Sequence, residues 1–286
     1  MTIPLPKLDL LPGQKLTLPG FLILCFTAVI VHRDYKAFRS LGPGGTPSTI
    51  PGYVRVKILS LFKLKDPYSP IPVPKGFRPQ YGFLSSVRIP RRVGPRPEVD
   101  GIAPHRQLTQ ICSKDAFASL SSAISVFAAV PNNKLVLGTS CFEKHGTGLF
   151  SLAPLTRTCK GEICHAHASD GSLHMTLHPQ DAATVLLRGW GERHPLARGG
   201  WFSRFVPSGF LMVYAPRTEQ ELEVVTEIIR AAAWFVSGQT ICTSKEEEQR
   251  RDSGCVMEED EGEEEGEEKV MEGYPIAHAQ IPQMTS

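Results

Sequence analysis

Three histidines, His165, His167 and His174, lie within ten residues of one another, on either side of an Asp170-Gly171 pair. Asp-Gly between alternating residues is the strongest short-range signal for a two-residue hairpin turn. With those two residues as the turn, Ser169 faces Ser172, His167 faces His174, His165 faces Thr176 and Ile163 faces His178. Strand alternation then places His165, His167, His174, Thr176 and His178 on one face, and Cys164, Ala166, Ala168, Leu173, Met175 and Leu177 on the other. The second set reads as core; the first converges imidazoles. Imidazole titrates near neutrality, so such a cluster suits general base and acid catalysis. It equally suits a transition metal held by His165, His167 and His174, with Glu162 or His194 completing the set. The plainer alternative is a solvated face of structural histidines in a chain that has nine of them.

A second group follows in Gly189-Trp190-Gly191-Glu192-Arg193-His194-Pro195-Leu196. Glycines on both sides of Trp190 permit a tight loop with close backbone approach, and Glu192 and His194 are spaced to reach one pocket wall. Trp190 would serve as a stacking surface; the alternative makes it a core plug and Glu192-Arg193 a surface pair. His145, beside Glu143 at another turn, is also able to point at the site. The candidate catalytic set is therefore His165, His167, His174, Trp190, Glu192 and His194. The candidate substrate contacts are His145, Thr176, His178 and Arg193. Nothing matches a phosphate-binding loop, a dinucleotide fingerprint or a nucleophile elbow.

The elements that would position these residues are an α+β set. Ser113 caps a helix with Phe117, Leu120, Ile124 and Phe127 at helical spacing, ended by Pro131-Asn132-Asn133. Residues 134–142 and 147–152 read as strands, and 162–168 and 172–178 as the histidine hairpin. Pro179 opens a short helix that Gly189 closes. A strand over 208–214 leads to a capping box, Thr218 to Glu221, and a helix burying Leu222, Val225, Ile228, Ile229 and Ala232. The order helix, four strands, helix, strand, helix gives antiparallel hairpins packed against helices in one domain spanning 104–241.

Before that domain lie a short segment (1–15), an apolar run (16–32) and a proline- and glycine-rich region (33–103) expected to be mostly extended, with 53–64 a strand or a membrane-facing amphipathic segment. The apolar run fits an uncleaved transmembrane helix better than a cleaved signal, because Val-Ile-Val-His-Arg offers no small-residue cleavage site. A buried core helix is the remaining alternative. Arg33, Lys36 and Arg39 after the run, against Lys7 and Lys15 before it, put the domain on the cytosolic side of a single-pass membrane protein.

The net charge of +2 conceals an asymmetry. Residues 258–286 hold Lys269 against ten acids, or −9, which leaves +11 on the rest. The stretch 242–286 has little to bury and is expected to be a disordered acidic tail, a platform for protein partners. The cations favour no aromatic-interleaved stripe, so nucleic acid is the weakest of the partners that charge alone would suggest. Seven cysteines without a Cys-x-x-Cys pair fit a reducing compartment rather than a disulfide framework, and they exclude a cysteine-built zinc site.

Taken with His32-Arg33-Asp34-Tyr35, Gly52-Tyr53, Leu59-Ser60-Leu61-Phe62, Gln180-Asp181 and Tyr214-Ala215-Pro216-Arg217, the two clusters make the chain resemble the fungal luciferase family, including its non-luminous and more distant bacterial relatives. The resemblance implies a membrane-bound oxygenase. Luminous members join molecular oxygen to a hydroxylated hispidin, an electron-rich pyrone, with no known organic cofactor or metal. They then lose carbon dioxide and emit light. This chain departs from the luminous pattern in a His-x-His-to-His spacing one residue shorter and in the added acidic tail. Both departures bear on substrate and light emission more than on fold and anchor. The function expected is oxygenation of a small enolisable aromatic or pyrone-type molecule, with oxygen as co-substrate and no organic cofactor. A metal-dependent enzyme and a non-catalytic membrane-anchored binding module are the rivals.

Overall fold

The computed structural model describes residues 8–11, 14–16, 18–156 and 158–252, with side chains for 18–156, 158–249 and 252. Strands β1 (Leu8–Leu11) and β2 (Gln14–Leu16) form a small hairpin before helix α1 (Leu18–Ser40). α1 is long and apolar enough to cross a membrane, with a mean hydropathy of 1.3 over a window of which nothing is buried. It runs past the expected end at residue 32 because Tyr35 and Phe38 pack on Tyr53 of α2 (Ile50–Ser60), with ring centroids 5.4 and 5.9 Å apart. α2 stands where a strand or an amphipathic segment over 53–64 was expected. Thr49 caps it by accepting from Gly52 N, and Pro51 sits in the first turn, where its missing N–H costs no hydrogen bond.

The short strands β3 (Val99–Gly101) and β4 (His105–Gln107) pair with each other. Helix α3 (Lys114–Ala129) starts where expected, with Ser113 Oγ accepting from Ala116 N at 3.1 Å. The main sheet comprises β5 (Leu135–Thr139), β6 (Thr147–Ser151), β7 (Glu162–Ala166), β8 (Leu173–Thr176), β9 (Gly191–Arg193) and β10 (Phe210–Val213). Its order is β5-β6-β7-β8-β10-β9, antiparallel throughout. β9 is an extra edge strand where a tight loop around Trp190 was expected. α4 (Pro179–Arg188) ends at Gly189 with φ +82, and α5 (Glu219–Ser237) follows the Thr218 cap.

One face of the sheet lies under α3, α4 and α5 in a core that includes Phe127, Leu149, Leu173, Met175, Leu211 and Ile229. The opposite face is covered by a smaller apolar layer drawn from both ends of the chain, including Phe38, Val56, Ile102, Leu196 and Phe210. The region before the domain is thus a layer of the fold.

The acidic tail begins later than expected. Cys242 is buried, with its N–H donating to Asn133 Oδ1 at 3.0 Å, and α6 (Ser244–Asp252) docks through the Arg230–Glu246 ion pair at 2.7 Å. The most acidic part of the tail lies outside the described residues. Among the described residues, Cys25, Cys112, Cys141, Cys159 and Cys164 form no disulfide.

A buried histidine row as candidate active site

The hairpin turn departs from the expected one. Four residues, Ala168 to Gly171, connect the strands; His167 N donates to Ser172 O and Gly171 N to His167 O, both at 2.8 Å. His165 therefore faces His174, and the expected His167–His174 pairing is displaced by two residues. Asp170 causes this. Its carboxylate turns inward and accepts from Ser172 N (2.7 Å), Ser172 Oγ (2.6 Å) and Gln107 N (3.2 Å), so Asp170 cannot occupy a solvent-facing turn corner. A slip of two preserves parity, and His165, His167 and His174 keep a common face.

The register builds a row across the sheet: Gly148, His165, His174, Met212 and Glu192 lie side by side on successive strands. A bulge in β7, where the pairing shifts between Leu149 and Phe150, adds Glu162 to this face. In a regular strand Glu162 and His165, three apart, would point to opposite faces; the extra residue brings them together at 2.6 Å. Gly148 leaves room, since a Cβ there would lie 3.3 Å from Glu162 Oε1. Phe210 stacks on His174, with centroids 5.1 Å apart and planes 16° apart.

Hydrogen bonds link Asp170, Ser172, His167, His174 and His105 into one chain. Asp170 is held as a carboxylate: burial works against that, but His167 and the Ser172 donors outweigh it. Ser172 must then give its hydroxyl proton to Asp170, so Ser172 Oγ accepts from His167 Nδ1–H at 2.9 Å. Burial pushes His167 down to about 4 and His174 well below the usual histidine range, so both are neutral at pH 7. His167 Nε2 therefore accepts from His174 Nδ1–H, and His174 Nε2 from His105 Nδ1–H, each at 3.1 Å. At the far end His105 Nε2 lies 3.6 Å from Glu192 Oε1, and Glu192 Oε2 accepts from Tyr214 at 2.9 Å. His165 donates Nδ1–H to Glu162, which also receives Ser140 Oγ and Cys141 N. In the neutral ring that donation leaves Nε2 as a lone pair, and the atom is buried without a hydrogen-bond partner.

His165 also lines a pocket of about 420 Å³, together with His167, Glu143, Arg106, Phe117 and Ile124, among others. Arg106 grips Glu143 with two bonds, at 3.1 and 2.6 Å. Burial would raise the Glu143 carboxyl, but Arg106 and the histidines keep it low. Among the described residues, two triads bring ligand atoms within 4.8 Å of one another: His165, His167 and His174, and His105, His174 and His194. The second is the poorer candidate, because His194 already donates Nε2–H to Ile102 O (3.0 Å) and accepts Leu196 N–H at Nδ1 (3.2 Å).

Of the candidates read from sequence, the structure gathers His165, His167, His174, Glu192 and His194 on one face. Thr176 is buried there opposite Phe210, and His145 sits at the pocket, bonded to Glu143 O at 2.6 Å. Three candidates lie elsewhere. Trp190 is a plug in the helix-side core, donating to Pro90 O at 2.7 Å, and is no stacking wall. His178 falls past the end of β8, caps α4 and packs among Phe77, Trp234 and Phe235. Arg193 alternates to the other side of β9 and bonds Ala197 O and Ser69 O. Sequence reasoning missed His105, the inward role of Asp170, and Tyr214. His105 follows a proline-rich stretch read as linker, and only its place in His105-Arg106-Gln107, an unbroken polar run before a helix cap, hinted otherwise.

The luciferase domain family matches residues 160–232, which include the hairpin, β9, β10 and most of α5. The chain is 33% identical over 230 residues to a luciferase of Neonothopanus nambi, covering 73% of this chain and 82% of that protein. It is 33% identical over 227 residues to a luciferase of Armillaria ostoyae and 32% identical to one of Armillaria mellea, each time covering 72% of this chain and 82% of the relative. No solved structure matches.

Proposed function

Since this chain belongs to the fungal luciferase family, we propose that it is a membrane-anchored oxygenase, held by α1 with its domain on the cytosolic side, that joins molecular oxygen to a small enolisable aromatic or pyrone-type molecule. The observation that carries this reading is His165, whose buried Nε2 has no partner and which lines a pocket of a size that suits a small aromatic ligand. Oxygen accepts one electron at a time, so the substrate must first become an anion. His165 Nε2 takes its proton, and Glu162 on Nδ1 orients the ring and stabilises the imidazolium. The carbanion passes an electron to oxygen and the two radicals combine, forming a C–O bond; the terminal peroxide oxygen takes the proton back from His165. His167 borders the same space, and its lone pair is held by His174. The acidic stretch beyond Asp252 is assigned to protein contacts.

The test is oxygen uptake by the full chain in membranes with a set of hydroxylated pyrones. Uptake that disappears in His165→Ala is expected. No uptake with any enolisable pyrone, by wild-type protein of intact fold, would favour a binding module and overturn the reading.

A second reading is favoured by the tautomers. The neutral set leaves His165 Nε2 bare and, with His105 neutral, turns a lone pair of that residue toward the Glu192 carboxylate. A divalent ion on His165 Nε2, His167 Nε2 and His174 Nδ1 removes both defects, because His174 Nε2–H would then donate to His105 and His105 Nε2–H to Glu192. Each ligand would also have its outer nitrogen held by a hydrogen-bonded partner, as metal-bound histidines usually do. Metal analysis of untagged protein decides: one ion per chain, lost in His174→Ala, replaces the free base by a metal centre, whereas activity without metal dismisses it.

A further inference from the structure

The layer that covers the histidine face carries an exposed apolar surface. On α2 the buried residues are Gly52 and Val56, while Ile50, Val54, Ile58 and Leu61 are exposed, Leu61 at 78%. At 3.6 residues per turn these four fall in one arc of roughly 80°. Lys57 lies on one flank of that arc and Arg55 on the other. Past the helix, Phe62 packs its ring against Phe202 at 5.4 Å, and Phe202 touches Trp201, which meets Phe205 at 5.0 Å. Trp201 is 62% exposed and Phe205 51%. The stripe and the aromatic cluster therefore join in one patch.

Charge follows the same outline. From Leu41 to Lys65 there are four cations and no acid, and from Pro195 to Pro207 two cations and no acid. Arg55, Lys63, Lys65 and Arg204 are exposed. The patch is also continuous with α1: Tyr53 donates to Asp34 at 2.6 Å and Lys57 pairs with the same carboxylate at 2.5 Å, so α2 is fixed to the end of the helix whose apolar window contains no buried residue. An apolar stripe flanked by cations, with aromatic residues beside it, is the composition of a surface that sits in the headgroup and acyl boundary of a bilayer. Lysine and arginine around it match anionic headgroups.

We propose that this patch is a second membrane contact: α2 and the Trp201–Phe205 turn lie in the interface of an anionic bilayer, so that the domain rests on the membrane. The inference depends on α1 being a membrane anchor. It also places the cover of the histidine face at the lipid boundary, where an apolar aromatic substrate would concentrate.

The test uses the full chain in nanodiscs of phosphatidylcholine and phosphatidylserine with brominated acyl chains, which quench tryptophan on contact. Trp190 is buried in the helix-side core and Trp234 sits by Phe83 and His178, so Trp201 is the residue within reach of lipid. Brominated chains are expected to remove on the order of a third of the emission of the three tryptophans from the wild type, and almost none from Trp201→Phe, because an interfacial side chain reaches the acyl boundary. Quenching should increase with phosphatidylserine content. Chain that enters the discs but is unquenched, or quenched equally in Trp201→Phe, overturns the docking surface while the anchor stands. Cross-links between the Lys63 residues of two copies in one disc, without quenching, overturn it in favour of self-association. Chain that fails to enter discs at all removes the anchor and this inference together.

Discussion

The two faces of the six-stranded sheet are built from the same strands and do opposite things. In β10, Leu211 and Val213 face α4 and α5 in a core that is almost wholly apolar, while Phe210 and Met212 face the histidine row. In β7, Cys164 faces the helices and His165 the pocket. The helix side contributes contact and dehydration, about 25 cal/mol for each Å² of apolar surface removed from water. The other side buries His165, His174, Glu162 and Glu192, groups whose desolvation is unfavourable unless every one is bonded. The pleat thus separates an apolar, stabilising face from the polar face that the proposed chemistry would use, one residue to each in turn.

If that division is real, substitutions on the two faces should fail in different assays. His165→Ala is expected to lower oxygen uptake by about 10²–10⁴-fold, the usual contribution of a positioned base, while stability falls by no more than about 1–2 kcal/mol. Leu211→Ala should do the reverse, costing about 2–5 kcal/mol in denaturant unfolding with turnover per folded molecule unchanged. An unfolded His165→Ala protein, or a stable Leu211→Ala protein without turnover, would break the comparison.

Asp181 sharpens it, as a carboxyl buried on the helix side. Burial pushes it up to about 6, against the two bonds it accepts from Leu84 N (2.8 Å) and Phe83 N (3.0 Å). A raised acid stabilises the fold when protonated. Its contribution is complete below pH 3.8, the ordinary value, and is lost as pH climbs through about 6. We expect on the order of 2–3 kcal/mol to disappear over that window. Urea unfolding at a series of pH values should show the slope in the wild type and a flatter line in Asp181→Asn.

The smallest effect belongs to neither face. Glu246→Gln removes a half-exposed ion pair with Arg230, so stability should fall by less than about 1 kcal/mol. Cutting the chain after Asp252 should leave oxygen uptake within about twofold, because less than that corresponds to only a few tenths of a kcal/mol at the transition state. A larger loss would give the acidic stretch a part in the site.

How far the sequence disclosed this arrangement follows from parity. His165, His167 and His174 were legible as one face because alternation survives a slip of two, even though the Asp170-Gly171 turn was assigned the wrong length. Glu162 was weighed only as a metal ligand, since a bulge changes parity and leaves no compositional mark. His178 is misplaced because the strand period does not run past the end of β8, and Arg193 because a stretch read as loop is the strand β9, whose alternation turns it away. His105 lies 69 residues from the His174 it bonds, and nothing local foretells such a contact. α3, α4 and α5 were the most legible elements, because Ser113, Gly189 and Thr218 mark their ends chemically.

The cover of the histidine face has a consequence for how the protein is made. Phe38 and Val56 leave the ribosome long before Leu196 and Phe210, the residues they must meet across the second apolar layer. Segments emerge in order and fold as units when their partners exist. The early portion must therefore wait until β10 is synthesised and the sheet closes on it. No nascent chain short of β10 has a dry histidine row, so the pocket beside it comes into being only when most of the protein has been translated.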